Sequence, residues 1–384
     1  MTDSYTWNPF NGNNSDTNLD IEFIKREVAK RFPFYDMRFN LENIVFFCRI
    51  NNDTLDKDFE DLRKSLSKKN YIPMLRFQQG EHLIYVIKKP KRKEKPVWVN
   101  LALIIATIIT TILTGSILSM NYLAFWTIPN PYDIFKIENL LNGALYFSLP
   151  LMSILFIHEM GHYYLSKKHG IATSLPFFIP VPPILPVLNI GTFGALISSH
   201  DPMSNKKTLF DIGFAGPLAG FIVAIPVIII GIYMADIVPI IPIDQIPEGE
   251  AIFGSSLLID FFVNLLRDIP QGYTIDMNPV LFAGWVGLLI TSLNLLPAGQ
   301  LDGGHIFRSV LGDKQKYAGW AAIIVMLFTG WWFFAFFILL VIGTNHPPPL
   351  NDYSSIDLKR KLLFILALFI LIVCFIPFPI YSNI

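Results

Sequence analysis

Residues 97–384 constrain the chain most. They hold only 28 of its 60 Asp, Glu, Lys and Arg side chains. Their apolar runs approach or exceed the roughly 20 residues that a helix needs to cross a bilayer. Such a chain is not an all-soluble enzyme. The other 32 charges fall in residues 1–96, which read as a soluble domain. The net charge of zero therefore joins two kinds of protein. It also lacks the basic excess that marks nucleic-acid binding, so no nucleic-acid partner is expected. Cys48 and Cys374 lie at opposite ends of the sequence and support neither a disulfide framework nor a cysteine metal site. Residues 1–18 are polar and are expected to form a disordered tail, with no cleavable signal peptide.

Six apolar runs are candidate membrane helices: Val97–Met120, Leu140–Leu165, Leu209–Met234, Pro279–Pro297, Tyr317–Ile342 and Leu362–Ile380. Before the first, Lys88–Lys95 reads KKPKRKEK, a juxtamembrane anchor that predicts a cytoplasmic N-terminal domain. The loops agree with that start. Lys167, Lys168, Lys206 and Lys207 fall inside, the acidic stretch 235–278 outside, and Arg308, Lys314 and Lys316 inside. Lys359-Arg360-Lys361 disagrees if the fifth run crosses once. A reversal near Thr329-Gly330, making two short helices, restores the rule. Ile252–Leu266 is amphipathic and is expected along the outer surface.

Within residues 19–89 the expected order is helix, strand, strand, helix, strand, strand. Asp20 caps the first helix, and Asp53 or Thr54 starts the second. Strands are expected at Phe34–Asn40, Asn43–Ile50, Ile72–Phe77 and His82–Ile87, with Gln79-Gly80 turning the last pair. This is a small α+β domain, readable as two αββ units. Residues 90–96 form a basic linker, 97–345 the main membrane domain, and 346–384 a C-terminal loop and last span.

His158-Glu159-Met160-Gly161-His162 lies inside the second run. Positions i and i+4 share a helix face, so both imidazoles can reach one metal ion. Glu159, beside the first ligand, can serve as a general base toward a water held there. On a soluble helix these residues would make an ordinary surface cluster. Inside a span, ionisable groups are costly and mark a functional interior. Hydrolytic zinc takes three protein ligands plus water. Asp302, in the Pro- and Gly-broken stretch Asn294–His305, is the outstanding third candidate, because irregular backbone at membrane depth is tolerated only around a cavity or inside protein; a helix cap after a loop is the structural alternative for it.

Together, HEMGH at 158–162, NLLPAGQLDGGH at 294–305 and the order of the spans resemble the site-2 proteases. These are zinc metalloproteases that cut within membrane spans. The resemblance is greatest to the branch with an N-terminal soluble domain, and it covers roughly 97–345. It implies His158, His162 and Asp302 as ligands of one zinc ion and Glu159 as catalytic base. It also implies that Asn294 holds or polarises the substrate peptide; interhelical hydrogen bonding is the structural alternative for that residue. Val187–Ser199 looks like the family's membrane-associated strand. Its Gly191 and Gly194 would belong to an edge that takes an unwound substrate as an added strand, or else to a re-entrant loop without substrate contact. Gly213–Gly220, GFAGPLAG, matches a family segment and reads as close helix packing. His305 is a candidate to support the ligands; His200 and His346 read as interfacial loop residues. Trp331-Trp332 reads as facing lipid or the interface.

The expected protein is thus a multi-pass cell-membrane endopeptidase of about six membrane helices, a membrane-associated strand segment and a small N-terminal α+β domain. Its expected partners are the lipid bilayer and membrane-protein substrates with a transmembrane helix. The rival readings are a metal or solute transporter, which would more naturally show internal repeats, and a silent relative that binds membrane proteins without cutting them.

Overall fold

A computed structural model describes residues 20–39, 43–90, 96–120, 128, 130–183, 190–199, 201–240, 242 and 251–382. The expected tail at 1–18, most of the basic run, Val187–Asn189 and His200 lie outside the described residues. The chain divides into two units. One is Met1–Glu94 with Pro202–Lys206 and Pro348–Ser355; the other is Lys95–Asp201, Lys207–Pro347 and Ile356–Ile384.

The first unit follows the expected order: α1 (Ile21–Ala29), β1 (Phe34–Phe39), β2 (Asn43–Cys48), α2 (Leu55–Ser67), β3 (Tyr71–Gln78) and β4 (Glu81–Lys88). Asp20 caps α1 by accepting from Phe23 N. Gln79 and Gly80, at φ +52° and +85°, form the turn between β3 and β4. The antiparallel sheet has the order β1-β2-β4-β3. Each αββ half therefore contributes one hairpin, and the two hairpins join through their second strands. Ile24, Val28, Phe59, Leu62 and Leu66 of the helices meet Ile44, Phe46, Ile84 and Val86 of the sheet in one core.

Two distant stretches complete this unit. Leu350 enters the same core. Leu75 N donates to Leu350 O at 2.8 Å, and Arg76 Nη1 donates to Pro349 O and Leu350 O. Leu350 N and Asn351 N in turn donate to Met203 O and Ser204 O. The edge of β3 is thus closed by residues 349–351, which the sequence reading assigned to the C-terminal loop.

The second unit is mostly helical. It begins with α3 (Val97–Ser119), α4 (Ile137–Gly143) and α5 (Leu149–Lys168), with a π-turn at Ala144–Ser148 between the last two. The hairpin β5 (Phe177–Pro180) and β6 (Thr192–Leu196) precedes α6 (Lys206–Met234). Then come β7 (Ile237–Pro239), β8 (Ala251–Phe253), α7 (Leu257–Leu266), β9 (Tyr273–Ile275) and α8 (Pro279–Asn294). The chain closes with α9 (Asp302–Leu311), α10 (Gln315–Leu327), α11 (Trp332–Phe337), α12 (Leu358–Cys374) and β10 (Ile380–Ser382). By length and composition, three stretches among the described residues are long and apolar enough to cross a membrane: Val97–Ser119, Ile137–Lys168 and Lys206–Met234. The other three expected runs are helical but shorter. α8 has 16 residues and is apolar all round, as a helix surrounded by protein must be. Its length is cut at Asn294 by the irregular stretch that holds Pro297.

The fifth run is two helices. α10 ends before Phe328, Gly330 N donates to Pro377 O, and the chain after α11 returns to the start of α10, where Gln315 Nε2 donates to Thr344 O at 3.0 Å. The reversal that the charge rule required is therefore present. Arg360 in the first turn of α12 meets Asp211 of α6 through Nε–Oδ1 at 2.7 Å, and Asp211 also meets His169 after α5 at 3.0 Å. The start of α12 thus lies at the same end of the bundle as the end of α5 and the start of α6. The C-terminal stretch crosses the turns of this unit: β10 pairs with β8, and Trp331 Nε1 donates to Ile376 O at 2.7 Å. Trp331 is consequently 8 % exposed, which overturns the lipid-facing or interfacial reading for that residue, whereas Trp332 is 58 % exposed. A buried indole N–H needs an acceptor, and the tail supplies one.

Candidate metal centre

His158 and His162 lie one turn apart on α5, so their rings share a face of the helix. Asp302 is the first residue of α9, presented by the stretch 295–301. A Cβ on Gly303 would sit 2.0 Å from Leu295 O, so only glycine lets that stretch fold back so closely under the start of α9. The three side chains converge. Asp302 Oδ2 lies 3.3 Å from His158 Nε2 and 3.2 Å from His162 Nε2, and the two Nε2 atoms are 3.2 Å apart. His158 and His162 are buried. Among the described residues this is the group of three that can share an ion.

The triangle fits a tetrahedral metal. Ligand bonds of about 2.0–2.2 Å place neighbouring ligand atoms about 3.3–3.6 Å apart in a tetrahedron. Two imidazoles and one carboxylate are also a common three-ligand set for an open hydrolytic site. His162 Nδ1 lies 2.7 Å from Ile212 O on α6; that carbonyl can only accept, so Nδ1 carries the proton and Nε2 keeps its lone pair for a metal. Glu159, next to the first histidine, is buried at 7 % exposure.

α6 passes directly over both rings. A Cβ on Gly216 would fall 2.0 Å from His162 Nε2, and one on Gly220 would fall 3.1 Å from His158 Nδ1. The run GFAGPLAG is close packing, as expected, and what it packs against is the pair of imidazoles. Sequence reasoning missed that partner, and it missed the Ile212 carbonyl, which leaves no side-chain signal.

Asn294, the last residue of α8, brings its Nδ2 to 3.4 Å from His158 Nε2, a long contact that places the amide beside the triangle. His305 Nδ1 pairs with His346 Nε2 at 2.6 Å, so His346 is tied to α9 rather than standing in an open loop. The expected strand segment forms β6, paired antiparallel with β5. Its two glycines differ. Gly191 is pressed on α3, where a Cβ would lie 2.8 Å from Thr111 Cα. Gly194, at φ +84°, has nothing within 4 Å of where a Cβ would be.

Residues 146–335 match the family described as Peptidase family M50. The chain is 27 % identical over 301 residues to "Probable zinc metalloprotease EGY1, chloroplastic" of Oryza sativa subsp. japonica, covering 73 % of this chain and 50 % of that protein. It is 26 % identical over 268 residues to the Arabidopsis thaliana protein of the same name, covering 66 % and 47 %. It is 33 % identical over 191 residues to "Probable zinc metalloprotease EGY2, chloroplastic" of Arabidopsis thaliana, covering 49 % and 32 %. The chain thus spans half or less of the length of these relatives. No solved structure matches it significantly.

Proposed function

We propose that this chain, which belongs to peptidase family M50 (the site-2 proteases) through residues 146–335, is a zinc endopeptidase. It would hydrolyse peptide bonds in or near the membrane segments of other proteins. The observation that carries the reading is the triangle of His158, His162 and Asp302, with edges of 3.2–3.3 Å, set among apolar helices with a buried glutamate beside it. A peptide-cutting enzyme needs little else at its centre. Relatives named as zinc metalloproteases support the choice of metal.

In this reading His158, His162 and Asp302 hold one zinc ion per chain. Bound there, zinc supplies Lewis acidity toward a peptide carbonyl and makes a water molecule more acidic. Glu159 takes the proton of the attacking water and returns it to the leaving amine. The Nδ1–H of His162, fixed on Ile212 O, keeps its ring in one tautomer through the cycle. Asn294 donates to the substrate backbone near the scissile bond. The substrate helix hides its carbonyls in its own hydrogen bonds, so it must unwind first. Gly or Pro in the substrate makes this easier, and the edge of β6 receives the extended segment.

The topology that goes with this function has six membrane segments in the cell membrane and a cytoplasmic N-terminal domain. The contact of Arg360 with Asp211, which also meets His169, supports it, because it groups Lys359–Lys361 with the other basic loops. The biological role would be regulated proteolysis of membrane proteins.

The test compares the purified full chain with Glu159→Gln on a panel of membrane-spanning peptides, with metal content measured for both. The expected result is cleavage by the parent only, with one zinc in each. Equal cleavage by both, or a fully zinc-loaded parent that cuts nothing, would falsify the reading. Asp302→Ala tests the ligand set separately: it should lose metal, and full retention removes Asp302 from the site.

A further inference from the structure

The first helix of the second unit lies outside the matched segment 146–335, yet it holds the β5–β6 hairpin by specific bonds. Asn100, one turn into α3, is 7 % exposed. Its Nδ2 donates to Leu175 O at 2.8 Å and to Pro176 O at 3.0 Å, the two residues just before β5. Ten residues further along, about 15 Å on the helix axis, Thr110 Oγ1 has Gly191 O, just before β6, as its nearest acceptor at 2.7 Å, ahead of the carbonyls of Thr107 and Ala106 in its own helix at 3.0 and 3.1 Å. Gly191 has φ +77° and its backbone rests on Thr111. Helix and hairpin therefore meet at both ends of the hairpin, backbone against helix.

An amide in an apolar helix is unfavourable unless its hydrogens are used, and here both are. Apolar contact alone would also hold β5 on α3, but it has no direction and would let the strand slide. A slide of one residue turns every side chain of a strand to the other face. Two hydrogen-bonded points about 15 Å apart remove that freedom. They also decide which edge is available. α3 lies along β5. β6 pairs with β5 on one side, and among the described residues no strand pairs with its other side. Phe193 and Leu196 of β6 are 68 % and 64 % exposed.

We propose that Asn100 and Thr110 are positioning residues. By latching the hairpin to α3 they fix its register, so that the β6 edge is presented to an extended substrate. The proposal rests on the protease reading above, and its experiment separates the two.

The variants are Asn100→Leu, similar in volume and compatible with an apolar helix, Asn100→Gln as the conservative change, and Thr110→Val. Hydrogen exchange of peptides spanning 173–198 reads the latch without any activity. Cleavage of a spanning peptide, with cut-site mapping and zinc content, reads its use. In Asn100→Leu, exchange should rise roughly tenfold, the order of magnitude for losing one or two hydrogen bonds. KM should rise several-fold or secondary cut sites should appear, with kcat within about twofold and zinc unchanged. Thr110→Val should act in the same direction, and Asn100→Gln should recover part of both readouts. Unchanged exchange in Asn100→Leu and Thr110→Val overturns the latch. Faster exchange with unchanged KM and cut sites overturns the positioning role. A parent that cuts nothing, with faster exchange in the variants, removes the protease reading and leaves the latch standing.

Discussion

The closest approach at the centre is the backbone of Gly216 over the ring of His162, and it makes a graded prediction. A Cβ at 216 would lie 2.0, 2.4 and 2.6 Å from Nε2, Cδ2 and Cε1 of His162. Ordinary contact begins at 3.4 Å, so ring and helix must part by about 1.4 Å in Gly216→Ala. The ring cannot simply step aside, because Nδ1 is held on Ile212 O of the same helix α6. Relief requires either breaking that bond or pushing α6 off α5. The atom displaced is the one that faces Asp302. Overpacking of this kind costs about 1–3 kcal/mol, and loss of a partner behind a ligand weakens metal binding by about 10–100-fold. Gly216→Ala should therefore weaken zinc binding by roughly 100-fold and reduce cleavage at least in proportion. Gly220→Ala is the internal control. Its Cβ would lie 3.1 Å from His158 Nδ1 and 3.2 Å from its Cβ, a crowding of only a few tenths of an ångström. It should cost less than about tenfold. Zinc affinity by chelator competition, in detergent at fixed pH, reads both. Equal affinities for parent and Gly216→Ala, or a larger loss in Gly220→Ala than in Gly216→Ala, would refute the geometry.

Three further expectations concern the rest of the chain. Truncation after Phe375 removes the acceptor of the Trp331 indole and the strand partner of β8; with about 1–3 kcal/mol per buried donor left unpaired, thermal unfolding in detergent should begin several degrees lower, and an unchanged Tm would contradict the role given to the tail. The hydrogen bond from Lys30 is the main cause that holds the Glu27 carboxyl below its usual range; its stabilisation is complete above that range and is lost as the pH falls from there through the lowered folded value, so Glu27→Gln should flatten the acid limb of the first unit's stability curve, and parallel acid limbs would count against the pairing. Burial pushes the Cys48 thiol up to about 12, so a maleimide at neutral pH should label it only after denaturation, and rapid labelling of the folded chain would mean that the core around Ile44 and Phe46 is open.

The sequence made some of this legible because local rules act locally. The i, i+4 spacing of His158 and His162 needs only a helix, and the helix is continuous there. Asp20 and the Gln79-Gly80 turn are set by capping and by positive φ, which neighbours on the chain decide. The reversal at Thr329-Gly330 followed from three cations that a single crossing would have placed on the wrong side. What escaped was tertiary. Hydropathy counts apolar residues and cannot tell lipid from protein, so the near-complete burial of α8 by its neighbours was not visible in its sequence. Trp331 reads like its neighbour Trp332, and only the acceptor at Ile376, 45 residues away, separates them. Asn100 is a lone amide in an apolar run, and the sequence reading passed over it. Its partners are backbone carbonyls, which every sequence has everywhere. The same blindness hid the Ile212 carbonyl behind His162.

The edge of β3 has a consequence for how such a chain is made. Arg76 finds Leu350 across 274 positions. A ribosome adding about 5–20 residues per second needs roughly 15–55 s to cover that distance. The four strands and two helices near the N-terminus can pair as soon as they emerge, since their contacts are short in sequence. Their last edge and the place of Leu350 in their core stay open through the synthesis of every helix from α3 to α11. The domain made first is therefore finished close to last, and a fragment ending near residue 96 would keep for good an unpaired strand edge of the kind that invites aggregation.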